Sequence, residues 1–87
     1  MTAFQKSLDK ILRGTSDSTI DFSALCNVLK RLEFDERIRG AHHIFSRQDV
    51  GEIINLQPRG TKAKPYQVKQ VRAIILKYRL GGAPDEE

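Results

Sequence analysis

Apolar residues recur at helical spacing over the first part of the chain: Phe4, Leu8, Ile11 and Leu12 define a short amphipathic helix over residues 3 to 13, closed by Gly14. The polar run Thr15-Ser16-Asp17-Ser18-Thr19 then predicts a loop. A second helix begins after Asp21, a residue suited to capping free backbone N–H groups. Ile20 and Leu25 stand at the two positions of a hydrophobic staple around it. Its apolar stripe is Phe22, Leu25, Cys26, Leu29 and Leu32, with Lys30, Arg31 and Glu33 outside. After Leu32 the period changes from helical to alternating. Phe34, Glu36 and Ile38 alternate with Asp35, Arg37 and Arg39, Gly40-Ala41 permits a turn, and His43-Ile44-Phe45 resumes extended chain, which together make a hairpin. Asp49-Val50-Gly51 reads as a second turn, Glu52 to Leu56 as a third antiparallel strand, and Pro58-Arg59-Gly60 as its end. The final helix opens on Pro65, buries Val68, Val71, Ile74, Ile75 and Tyr78, and stops at Gly81-Gly82, with a frayed tail from Pro84. Helix, helix, three strands and helix predict an α+β domain with helices packed on one face of an antiparallel sheet.

The 87 residues support one small core. The formal charge is +4, and its distribution says more than its total: from Ile53 to Pro84 there are seven basic residues and no Asp or Glu. Such asymmetry is an electrostatic footprint for phosphates. One cysteine, Cys26, excludes an internal disulfide, and two adjacent histidines offer no zinc set, so neither a metal nor another cofactor is expected. Cys26, on the apolar stripe, reads as a small core residue rather than a nucleophile. No hydrophobic run approaches the roughly 20 residues of a membrane span and the N-terminus lacks an apolar signal region, so a cytoplasmic protein is expected.

Both histidines lie in Arg39-Gly40-Ala41-His42-His43-Ile44-Phe45. Neighbours on a strand point to opposite faces, so His42 and His43 cannot chelate together, and one working imidazole with a neighbour is the simplest reading. Lys69, Arg72 and Arg79 share a helix face by spacing, and Lys62 and Lys64 precede a helix N-terminus, where backbone N–H groups also favour phosphate. RNA carries its own nucleophile, the 2′-hydroxyl. A base to take its proton and cations to hold the charge suffice for cleavage, so this chemistry points to RNA rather than DNA. Tyr66, in the first turn of the last helix, is a candidate for stacking or partner contact. Gln67 and Gln70 read as solvated positions. The competing account makes each histidine a surface or hydrogen-bonded structural residue.

The stretch from Leu25 to Leu80 resembles the HicA toxins of bacterial type II toxin–antitoxin systems. The resemblance rests on Leu29-Lys30-Arg31-Leu32-Glu33-Phe34, on Gly40-Ala41-His42-His43-Ile44-Phe45 where the family has a Gly-Ser-His element, and on the closing Val71-Arg72-Ala73-Ile74-Ile75. It implies a fold like a double-stranded-RNA-binding domain, with the extra N-terminal helix an addition. It further implies metal-independent mRNA cleavage by a histidine, His42 or His43, and neutralisation by a HicB-like antitoxin. Two positions depart from the family pattern: Ala41 stands for the usual Ser, and Arg59 stands where a second histidine would fall. An Arg can hold phosphate but cannot serve as an acid near neutrality.

The expected organisation is an N-terminal helix and linker over 1–19, a HicA-like domain over 20–82 and an acidic tail over 83–87. The leading expectation is an mRNA interferase with His42 or His43 as general base and Arg39, Arg59, Lys62, Lys64, Lys69 and Arg72 on phosphates. The alternatives are a non-catalytic RNA-binding module using the same surface and a protein-interaction domain with a basic face for an acidic partner.

Overall fold

A computed structural model describes residues 2–81. The chain forms α1 (Ala3–Arg13), a 3-10 turn (Asp17–Thr19), α2 (Phe22–Arg31), β1 (Asp35–Arg39), β2 (His42–Arg47), β3 (Val50–Leu56), β4 (Pro58–Arg59), β5 (Lys62–Ala63) and α3 (Pro65–Lys77). β1, β2 and β3 make an antiparallel sheet in chain order, while β4 and β5 form a separate two-residue hairpin. The predicted α+β order of two helices, three strands and a helix is therefore present. The acidic tail over 83–87 lies outside the described residues.

Sheet register follows from one fully buried side chain. Phe45 lies opposite Glu36 on β1 and Ile54 on β3, so these three share the face that meets the helices. Leu25, Val28 and Leu29 of α2 and Val68, Val71 and Ile75 of α3 bury themselves in the same cluster. Leu8 and Ile11 of α1 belong to it too, so the N-terminal helix shares the domain's core. The other face carries Arg37, Arg39, His42, Ile44, Ile53 and Asn55, and no helix among the described residues covers it. The β1–β2 turn depends on Gly40, whose φ of 59° is positive while Ala41's is not, the pattern of a type II′ hairpin turn. The following turn falls at Gln48-Asp49 rather than at Asp49-Val50-Gly51, and β3 starts at Val50. Arg47 holds this corner: it pairs with Asp49 at 2.8 Å and donates to the Leu32 carbonyl at 3.0 Å.

Helix ends depart from the sequence reading in two places. Asp21 is the N-cap residue of α2, but its side chain makes no capping bond; the carboxylate pairs with Lys62 at 2.6 Å instead. The strong cation outcompetes the backbone N–H groups, and its hydrogen bond holds the Asp21 carboxyl below its usual range. The β4–β5 hairpin, absent from the prediction, thereby clips to the start of α2, aided by Phe22 N–H donating to Thr61 and Ala63 N–H to Ile20. At the end of α3, Arg79 takes the left-handed position with φ 56°, and Leu80 N–H donates to the Ile75 carbonyl at 2.9 Å, so the helix closes before Gly81.

Gln67, read from sequence as solvated, is buried. Its Oε1 accepts from Gln57 N–H at 3.2 Å and its Nε2 donates to the Asn55 carbonyl at 3.4 Å, tying the first turn of α3 to the end of β3. Gln67→Leu keeps the volume but strands both backbone groups, and a loss of about 1–3 kcal/mol in urea unfolding is expected. A second tie joins β3 to the other end of α3. Glu52 accepts from Lys77 at 2.8 Å and from the Tyr78 hydroxyl at 3.1 Å. Lys77 first, then Tyr78, holds the Glu52 carboxyl below its ordinary value of 4.5. A depressed carboxylate stabilises the fold above its unfolded pKa and loses that contribution as pH falls through its folded pKa. The unfolding midpoint of Glu52→Gln should thus trail wild type near neutrality and converge with it once pH drops below the carboxylate range.

Candidate nucleic-acid interface

The type II′ turn sets His42 and Arg39 directly opposite each other on the open sheet face. One step along, Arg37 pairs in register with Ile44, which in turn faces Asn55 on β3. The His42 Nδ1 lies 3.0 Å from Asn55 Oδ1. A carbonyl oxygen can only accept, so this bond puts the proton on Nδ1 and leaves Nε2 as the basic nitrogen. His42 is exposed, and Arg37 and Arg39 are exposed without an ion-pair partner among the described residues. An imidazole with an assigned basic nitrogen thus stands beside two free guanidinium groups.

His43 points the other way. Its ring packs edge-on against Phe22, with centroids 4.9 Å apart, and its Nδ1 bonds Glu36 Oε2 at 2.7 Å. That bond, with help from Lys30 at 3.1 Å, holds the Glu36 carboxyl low. His43 lines a groove of about 890 Å³ between α1, α2, β1 and the β4–β5 hairpin. The two histidines therefore serve opposite sides of the sheet, as strand alternation requires.

The remaining predicted cations divide. Arg59 is exposed on β4, and Lys69 is exposed on α3, without an ion pair among the described residues. Lys64 lies just before α3, its Nζ 3.5 Å from Gln57 Oε1, at the same end of the sheet as His42. Lys62 is held by Asp21. Arg72 corrects the reading most. Its guanidinium grips Asp17 with both Nη atoms, at 2.9 and 3.3 Å, and donates to the Ile11 carbonyl at 3.1 Å, so it is spent on the fold and offers nothing to phosphate. The supposed basic stripe Lys69-Arg72-Arg79 is broken, because Arg72 turns inward and Arg79 lies beyond the helix. α3 itself sits on the covered side of the sheet, so its cations do not share the face of His42.

Arg37 and Asn55 were missed. The alternation that placed Arg39 places Arg37 on the same face, a signal the sequence carried. Asn55 gave none, because its pairing with His42 depends on the β2–β3 register. Tyr66 is 63 % exposed at the His42 end of the molecule. A mixed cluster also forms on the covered side, where ligand atoms of Cys26, Glu36 and His43 all lie within 4.8 Å of one another. Burial first, then the charge of Glu36, pushes the Cys26 thiol up to about 12. Counting histidines alone hid this group from the sequence, since its members come from α2, β1 and β2.

No helix among the described residues is long and apolar enough to cross a membrane. No family model matches the chain, and no curated protein or solved structure matches it either. What the fold and the site define is a small α+β domain with one open, arginine-bearing sheet face and a polarised histidine on it.

Proposed function

We propose that this chain is a HicA-type toxin, an mRNA interferase with a fold of the double-stranded-RNA-binding kind, in which His42 on the open sheet face is the general base. The observation that carries this reading is the His42–Asn55 bond beside Arg37 and Arg39. In the reaction the RNA 2′-oxygen attacks the adjacent phosphorus as its proton passes to His42 Nε2. The bond from phosphorus to the 5′-oxygen breaks, leaving a cyclic phosphate, and the departing 5′-oxygen takes a proton from water. Arg37 and Arg39 stabilise the charge that builds on the phosphoryl oxygens. Arg39, Arg59 and Lys64 hold flanking phosphates, Lys69 on the covered side is left out of the contact, and Tyr66 stacks on a base. The resemblance to HicA adds its own support: Gly40 starts the turn that presents His42, and a HicB-like antitoxin covering this face would silence the toxin in the cytoplasm.

Expression in a bacterial host tests the reading: growth arrest with fragmented mRNA is expected. Intact mRNA with retained RNA binding would leave a non-catalytic binding module, and absence of RNA binding would leave a protein-interaction domain. Binding to 2′-O-methyl RNA, which lacks the nucleophile, isolates the phosphate contacts. Each arginine on a phosphate contributes about 0.7 to the salt slope on single strands. Arg37→Ala with Arg39→Ala should lower that slope by about 1.4.

A further inference from the structure

We propose that Cys26, Glu36 and His43 form a binding site for a borderline transition-metal ion of the zinc class, on the side of the sheet opposite His42. Three donors of different chemistry converge there: a sulfur from α2, a carboxylate from β1 and an imidazole from β2, mutually within 4.8 Å. Four-coordinate zinc with bonds of about 2.0–2.3 Å separates its donors by about 3.5 Å, so side-chain adjustments of about 1 Å bring the three into range. Sulfur, imidazole and carboxylate together favour zinc or cobalt over the hard cations, which take oxygen alone.

The surroundings fit a three-residue site with one open position. All three side chains line the groove of about 890 Å³, which gives an ion an entry path and leaves room for water as a fourth ligand. On binding, the Cys26 thiol proton leaves to solvent as the sulfur–metal bond forms. Glu36 exchanges the hydrogen bond from His43 Nδ1 for a bond to the metal and keeps its other oxygen toward Lys30, while the Nδ1 proton passes to solvent and Nε2 takes one up, so that the neutral ring ligates through Nδ1. Because the ligands sit on three elements, the ion would fasten α2 to the β1–β2 hairpin. This site is independent of the RNA reading, since it uses the other histidine and the other face.

Cobalt(II) titration of the full, untagged chain tests the site. Cys26 is the only thiol in the sequence, so a thiolate-to-cobalt charge-transfer band reports on it alone. The band should saturate at one ion per chain, disappear on adding zinc, be absent from Cys26→Ser and persist in His42→Ala. Loss of outer-shell partners already weakens metal sites by about 10- to 100-fold, so Glu36→Gln and His43→Gln should each weaken binding by at least about tenfold. Glu36 is partly exposed and its Gln variant keeps the side-chain shape, so Glu36→Gln decides the matter if His43→Gln fails to fold by circular dichroism. The proposal is overturned by absence of the band at saturating cobalt, by a band that Glu36→Gln leaves unchanged, or by half an ion per chain.

Discussion

His42→Ala is expected to cut RNA cleavage by about 10²- to 10⁴-fold, the usual contribution of one positioned general base, while leaving thermal unfolding within about 0.5 kcal/mol of wild type. Both halves follow from its position. The ring is exposed on the open face and buries nothing, so its loss opens no cavity, yet it is the one imidazole on the side of Arg37 and Arg39. Asn55→Ala should give a smaller drop, because the base remains but its tautomer and orientation are no longer held. His43→Ala should behave in the opposite sense. That ring packs on Phe22 and bonds Glu36, so its removal should lower stability first. Equal loss of cleavage in folded His42→Ala and His43→Ala proteins, measured on a defined RNA under single-turnover conditions, would sink the assignment of the base to His42.

Arg72 should fail as an RNA contact and matter as a structural one. Its side chain and that of Asp17 are 19 % and 11 % exposed. Removing one member of a buried pair costs about 3–5 kcal/mol; partial exposure here reduces the expected loss for Arg72→Ala to about 2–3 kcal/mol. The guanidinium also satisfies the Ile11 carbonyl near the end of α1, an acceptor that helix geometry leaves without an intrahelical donor. Gly14 completes the arrangement: its φ is 73°, and a Cβ there would come within 3.1 Å of the Arg72 Nη1. Asp17→Ala should cost a similar amount, and the double variant much less than the sum, since both remove the same interaction. RNA affinity of folded Arg72→Ala, read at a temperature well below its melting point, should match wild type.

Element type was legible where hydrophobic spacing is strong. The three helices, the switch from period 3.6 to period 2 after Leu32, and the Gly40 turn all stand where the pattern puts them, because burying one stripe or one face admits few solutions. Boundaries drifted where two local signals competed. Val50 could end a turn or start a strand, and its burial in the core decided for the strand. Glycine signals misled at the end of α3, where Arg79 accepts a left-handed conformation because Leu80 N–H gains the Ile75 carbonyl and Leu80 packs against the core.

The chain's own order of residues determined that His42 and His43 must face opposite ways, that a glycine turn precedes them, and that Arg37 and Arg39 lie together on one strand face; these are consequences of backbone periodicity, which acts between near neighbours. Which histidine faces solvent, which cations stay free and which are consumed was decided only when distant segments met. Asp17 and Arg72 are 55 residues apart, Asp21 and Lys62 are 41 apart, and Cys26 reaches His43 only through the packing of α2 on the sheet. A charge has no fixed role until its partner is known, and those partners were supplied by tertiary contacts.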